Sequence, residues 1–266
     1  MPPLPDIPDF PLPTLDRLGH PADAELRDAF FAQVDAQVVA KEWLNAFVAT
    51  LSDPAAKGLE DLLLPDAFWR DMLAFTWDFR TFRGREEVLT FVKDRVAGTG
   101  KEASVKSVKL REGEGSVLLQ RPFPDIVWVQ LMFDYEVSDF GRGSAIVRVV
   151  PVPASGPNDA ISWKAHIIYT NLEGLLKHPE RVGPLRDAQP NHGKWEKTRK
   201  DEIEFTEGVV PPPQVIVIGG GQSGLEVGAR LKALGISSLI VERNGRIGDN
   251  WRNRYEALCL HDPVCE

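Results

Sequence analysis

Gly219-Gly220-Gly221-Gln222-Ser223-Gly224 is the segment whose residue types and spacing could do chemistry. Gly219, Gly221 and Gly224 fit G-x-G-x-x-G, the turn of a strand into a helix beside a pyrophosphate. Val215-Ile216-Val217-Ile218 precedes it as a short apolar run, suited to a buried parallel strand. Leu225, Val227, Ala229, Leu231 and Leu234 follow as a helix that Gly235 ends, with Gly228 inside it. Ser238-Leu239-Ile240-Val241 reads as a second strand, with Glu242 and Arg243 at its C-terminal end. Gly219 would permit the tight turn, Gly221 the close approach of backbone to phosphate, and Gly224 close helix–strand packing. The helix N-terminus then offers N–H groups and partial positive charge to phosphates. Glu242, 23 residues after Gly219, could accept hydrogen bonds from both ribose hydroxyls of an adenosine. It argues against a 2′-phosphate there, because two anions would meet.

Composition bounds what must position these residues. The 266 residues are 43% apolar and 26% charged, which excludes a chain too polar for a core, a collagen and a coiled coil. A net charge of −8 argues against nucleic-acid binding by phosphate neutralisation. No apolar run is long enough to span a membrane. Met1 to Asp6 lacks the basic and apolar regions of a signal peptide. Cys259 and Cys265, the two cysteines, cannot build a disulfide framework, so a reducing, cytoplasmic setting is expected. His20, His166, His178, His192 and His261 are too scattered for a metal site, and none is expected.

Four segments emerge. Residues 1–21 are a proline-rich arm, extended and resting on the surface through Phe10 and Leu12. Residues 22–172 read as one α+β domain. Its part 22–97 looks largely helical, through Leu26, Phe30, Val34 and Val38, then Leu44, Phe47, Val48 and Leu51, and again from Glu86 to Val96, while Phe68-Trp69 and Phe75 to Phe79 are aromatic-rich and fit no one element. Asp53-Pro54 would cap a short helix through Leu59, Leu62 and Leu63 that stops at Pro65. From 103 onward long antiparallel strands follow: Ile126–Val137 with its odd positions buried, then a turn near Gly141, then Ser144–Val152. In the last, Ile161, Trp163, Ala165, Ile167 and Tyr169 would form the buried face. Residues 173–213 are a charged, proline-punctuated connector closed by Pro211-Pro212-Pro213, where the domain boundary is placed. Residues 214–266 carry the glycine motif.

Helices followed by a meander resemble the NTF2-like, or SnoaL-like, cone fold. After the acid, Gly248-Asp249-Asn250-Trp251-Arg252-Asn253-Arg254-Tyr255 resembles the flavin-containing monooxygenase superfamily. The fungal and bacterial branch is the nearest in pattern, and there an NTF2-like region precedes the flavin domain. The resemblance implies an NTF2-like domain followed by the first βαβ unit of a Rossmann-type FAD-binding domain. It implies FAD on Gly219, Gly221, Gln222, Ser223 and Gly224, with Glu242 and Arg243 beside the ribose and Asn250, Trp251 and His261 toward the flavin. In the family NAD(P)H reduces FAD, and oxygen passes to nitrogen, sulfur or a ketone. A homodimer through the NTF2-like domain, and a small-molecule substrate, are further implications.

No second nucleotide motif occurs, and the resemblance ends at Val264, so the expectation is an incomplete flavin domain with little or no activity. The alternative is that residues 22–172 do the work, as a small-molecule binder, an isomerase, cyclase or dehydratase, or a dimerisation module. Asp78, between Trp77 and Phe79, and His166 are the acid–base candidates for an apolar cavity there. Alternation puts Asp134 and His166 on the faces opposite their strands' apolar rows.

Overall fold

The computed structural model describes residues 11–98, 100–153, 161–186, 190 and 192–257. The chain divides between Leu176 and Lys177 into two compact units.

The first unit opens on two helices, α1 (Ala24–Phe31) and α2 (Ala36–Ser52). Each starts on an aspartate, Asp23 and Asp35, whose carboxylate accepts two N–H groups of the first turn. α2 buries Ala40, Trp43, Leu44, Phe47 and Leu51, a stripe at helical spacing. The row Leu26, Phe30, Val34, Val38 is not one face. It crosses the break between the helices, and Leu26 and Val38 stay 61% and 48% exposed.

A sheet follows, built from β1 (Leu63–Met72), β2 (Phe79–Arg83), β3 (Val105–Leu110), β4 (Val117–Phe123), β5 (Ile126–Val137), β6 (Gly141–Pro153) and β7 (Ile161–Leu175). Its order is β2-β1-β7-β6-β5-β3, with β4 also on β5. Only β1 against β7 is parallel among these pairs. Helix α3 (Arg85–Phe91) packs on β1 and β2.

The aromatic middle of residues 22–97, which fits no one element by sequence, is strand. Residues 63–72 and 79–83 are a hairpin, because burial there alternates with period two over Ala67, Trp69 and Asp71. Asp53 ends α2 and bonds the Ala55 N–H in a turn, and Leu59–Leu62 is one 3-10 turn. β5 has the expected limits, and its odd positions from Val129 to Val137 are buried. In β7 the expected face holds only to Ala165. Val149 pairs with Ala165 but Arg148 with Ile167, so His166 is an extra, bulged residue. Beyond it Ile168 and Thr170 turn inward in place of Ile167 and Tyr169.

Aromatic rings fill the space between α2, α3 and the sheet. Trp43 stacks on Phe47 at 5.0 Å, Trp69 meets Phe91 at 5.3 Å, and Phe75 stacks on Tyr135 at 5.4 Å. Pockets among the described residues open at the edge of this core, one of about 500 Å³ lined by Val48, Leu51, Lys101 and Val105 and one of about 730 Å³ lined by Thr76, Arg80, Phe82 and Arg95. Burial pushes the Tyr135 phenol far above its usual range.

Of the arm, Phe10 lies outside the described residues and Leu12 is exposed. Leu15 is the anchor instead: fully buried with Phe31 and Val127, its N–H donates to Asp125 O at 2.7 Å. Arg17 pairs with Asp66 at 2.8 Å, and His20 Nε2 meets Pro151 O at 2.9 Å. Burial lowers the pKa of His20, and Arg27 adds to it; burial likewise lowers His166, with Arg17 adding and Asp66 opposing. Both folded values lie below the unfolded one, so the neutral forms are favoured by folding. That stabilisation is complete above a pH of about 6.5 and is lost as pH falls below it, toward the folded values. The urea midpoint of the first unit is expected to drop between about pH 7 and pH 5, and to drop less in His20→Gln/His166→Gln. An equal drop in that double variant would assign the effect to other groups.

Candidate functional site

In the second unit, α4 (Trp195–Glu204) is an exposed helix laced by the Lys197–Asp201 pair at 2.6 Å. Then β8 (Val215–Ile218), α5 (Gln222–Ala233) and β9 (Ser238–Val241) form a parallel βαβ unit, in register from Val215 on Ser238 to Ile218 on Val241. A short helix, α6 (Asp249–Arg252), follows.

The turn from β8 into α5 needs its glycines for separate reasons. Gly219 has φ 103°, a left-handed conformation that L side chains rarely adopt. A Cβ on Gly224 would lie 1.9 Å from the Gly219 carbonyl oxygen, so helix and turn touch backbone to backbone there. At Gly221 the space beside the backbone is open except for Asn250 Nδ2, 3.4 Å from where a Cβ would sit. No side chain caps α5, whose first-turn N–H groups have no partner within the helix. An open loop, bare N–H groups and a missing Cβ fit a pyrophosphate.

Glu242 closes the loop from the far strand. Its Oε2 accepts the Gly220 N–H at 2.6 Å; its Oε1 accepts the Asn244 N–H at 2.9 Å and Asn244 Nδ2 at 2.7 Å. The backbone N–H groups of Asn244 and Gly220, followed by the Asn244 amide, hold this carboxyl below the usual range. With the Arg243 backbone N–H also acting on the carboxyl, no free pair of acceptor positions is left for two ribose hydroxyls. Asp249 is bracketed by Arg246 Nε at 2.9 Å and Arg252 Nε at 3.0 Å, which lowers its pKa and shapes the turn leading to Asn250.

The structure thus brings Gly219 to Gly224, Glu242 and Asn250 together. Gln222 and Ser223 are exposed at the α5 N-terminus, and Gln222 Nε2 donates to Glu226 at 3.1 Å. Arg243 is exposed and Trp251 half-buried. His261 lies outside the described residues. The sequence does not single out Asn244, whose visible signal is an asparagine two residues after the acid.

The first-unit candidates fare differently. Asp78 is exposed and spends its carboxylate on the Phe79 N–H at 2.8 Å, so it does not face an apolar pocket. The buried acid is Asp71, fully shielded. Its Oδ2 accepts the N–H groups of Phe75 and Thr76 at 3.0 Å each and the Thr76 hydroxyl at 2.8 Å. Its Oδ1 accepts the Thr170 hydroxyl at 2.9 Å, which in turn accepts Trp69 Nε1–H at 2.9 Å. A carboxylate so fully satisfied is a clamp for the loop 73–78 rather than a base. Its only sequence signal was its place in the alternation with Trp69. Asp134 is exposed and pairs with Arg111. His166 is half-buried on its bulge, and its Nε2 and Asp66 Oδ1 are buried atoms without a hydrogen-bond partner. Asp78 and His166 do not form an acid–base pair in a cavity. No group of three or more metal-ligating side chains occurs among the described residues.

No family model matches the chain. The indole-3-pyruvate monooxygenase YUCCA4 of Oryza sativa subsp. japonica is 39% identical over 67 residues, covering 24% of this chain and 15% of that protein. The uncharacterized oxidoreductase CzcO-like of Geobacillus kaustophilus (strain HTA426) is 51% identical over 49 residues, 18% of this chain and 14% of its own. The chain thus spans about one seventh of the length of these relatives. These short matches to monooxygenases and oxidoreductases fit the flavin-containing monooxygenase superfamily. Among solved structures, an NTF-2 like protein of unknown function from Silicibacter pomeroyi aligns over 51% of this chain and 95% of its own, at TM-score 0.36 and 12% identity. Nuclear transport factor 2 from Cryptosporidium parvum aligns over 52% and 94%, at TM-score 0.34 and 14% identity. No helix among the described residues is long and apolar enough to cross a membrane.

Proposed function

We propose that the second unit is the opening βαβ part of a Rossmann-type FAD-binding domain, in a chain of the FAD- and NAD(P)H-dependent monooxygenase type. The observation that carries this reading is the glycine turn closed by an ionised carboxylate: Gly220 N–H on Glu242, beside the uncapped N-terminus of α5. Gly219 to Gly224 would hold the pyrophosphate, Glu242 the adenosine ribose, and Asn250 and Trp251 the side toward the flavin. When bound, FAD would supply electron transfer from NAD(P)H and the activation of oxygen. The chain's own part is to orient the nucleotide and keep negative charge at Glu242, away from a 2′-phosphate. Oxygen transfer to nitrogen, sulfur or a ketone, NAD(P)H as reductant and a cytoplasmic setting belong to the same proposal.

The first unit is proposed to be an NTF2-like domain of residues 22–172, joined by residues 173–213 to the nucleotide unit at 214–266. Its element order, helices α1 and α2 followed by a mostly antiparallel sheet that packs on α2 and α3, supports that reading. A homodimer contact is its proposed role.

The test is direct. The purified chain is mixed with FAD, excess is removed by gel filtration, and the visible spectrum of the protein peak is read. Retained flavin is expected, and its loss in Gly221→Asp, which sets a carboxylate against the pyrophosphate beside Asn250. A folded wild-type chain that emerges colourless would sink the proposal.

A further inference from the structure

We infer that Asn244 is a positioning residue, fixing the orientation and charge of the Glu242 carboxylate through two hydrogen bonds to one oxygen. The inference deepens the proposed nucleotide site and, for its meaning in binding, rests on that reading.

A glutamate side chain has three rotatable bonds, and a half-exposed one at a strand end samples several of its rotamers. Glu242 is held to one by donors from two directions. Gly220 N–H reaches Oε2 from the glycine turn, and Asn244 reaches Oε1 with both its backbone N–H and its amide. The Gly220 contact alone would leave the carboxylate plane free to swing about that bond. Two donors from Asn244 on the other oxygen remove that freedom. They also favour the ionised form, which is the form that rejects a second anion.

An aspartate at 244 would bring a second carboxylate onto Oε1 and lose the side-chain donor. An alanine would keep the backbone bond and lose the amide. A serine would offer one shorter donor and so act as the partial replacement.

The experiment labels glutamate side-chain carboxyls with carbon-13 in the whole chain and follows the Glu242 resonance, assigned by its absence in Glu242→Gln. In the wild type it is expected to titrate below the ordinary glutamate range. In Asn244→Ala it is expected to move up toward that range, in Asn244→Ser to lie between, and in Asn244→Asp to rise furthest. FAD binding by the same proteins, read by flavin fluorescence, is expected to weaken roughly tenfold in Asn244→Ala and to recover in part in Asn244→Ser. A residue that merely kept the turn folded would change the amide spectrum of residues 244–252 without this graded carboxyl shift. An unchanged Glu242 titration in Asn244→Ala overturns the inference. A wild-type chain that binds no FAD while Asn244→Ala still shifts Glu242 leaves the positioning role standing and overturns the nucleotide reading instead.

Discussion

Gly224→Ala abolishes flavin retention and loosens the second unit: that is the largest effect expected of any single methyl group in this chain. The added Cβ would lie 1.9 Å from the Gly219 carbonyl oxygen and 3.0 Å from its carbon. Backbone atoms in a tight turn do not move aside as a side-chain tip would, so β8 and α5 must separate. The cost belongs at the upper end of overpacking, about 3 kcal/mol. FAD affinity is expected to fall by well over tenfold, with the first unit unaffected. Hydrogen exchange distinguishes the two units: the β8, α5 and β9 amides should lose protection while those of β5 and β6 keep it. Gly221→Ala is the contrast. Its Cβ would meet only Asn250 Nδ2, at 3.4 Å, so the unit should stay folded and any loss of flavin would report contact with the ligand itself. If Gly224→Ala retained both flavin and protection, the close helix–turn contact would not be what shapes this site.

The second large effect is on stability. Asp71→Ala is expected to destabilise the first unit by about 4 kcal/mol. The substitution removes the acceptor of the Thr170 hydroxyl and, at a fully buried position, strands the Phe75 and Thr76 N–H groups, while the Thr76 hydroxyl keeps Asp78 O at 3.2 Å. Those donors belong to a loop that holds Leu73 at φ 66° and Trp77 at φ 55°, conformations kept only by such over-determination. Asp71→Asn, which keeps the shape but turns donors toward donors, should cost roughly half as much. Denaturant unfolding followed by tryptophan fluorescence measures both, because Trp69 shares the network through Thr170. Asp78→Asn, on the exposed rim of the same loop, should change stability by no more than about 0.5 kcal/mol. A cost for Asp78→Asn as large as that for Asp71→Ala would reverse the two roles.

What could be read in advance was whatever depends on neighbours along the chain. The βαβ unit was legible because Val215 to Glu242 keeps its turn, helix and second strand within one short stretch, and glycine at 219 and 224 answers local geometry. β5 was legible because its odd positions from Val129 to Val137 are all apolar and alternate with Gln130, Asp134 and Glu136 among others. Residues 63–72 are not legible as a strand because that identity comes from pairing with β7, about a hundred residues away, while Phe68 and Trp69 carry no period of their own. The inner face of β7 was misread past Ala165 because a bulge of one residue at His166 reverses every later side chain.

The site divides the same way. The sequence by itself determined a glycine turn, an acid after the second strand and the resemblance to a flavin-dependent family, since these lie in residue type and spacing. Only the tertiary structure decided that Asp71 rather than Asp78 is the buried acid, that rings occupy the space inside the sheet, and that Gly220 and Asn244 share the carboxylate of Glu242. Burial and hydrogen bonding are properties of where distant segments meet, and a carboxylate takes its role from the donors that surround it.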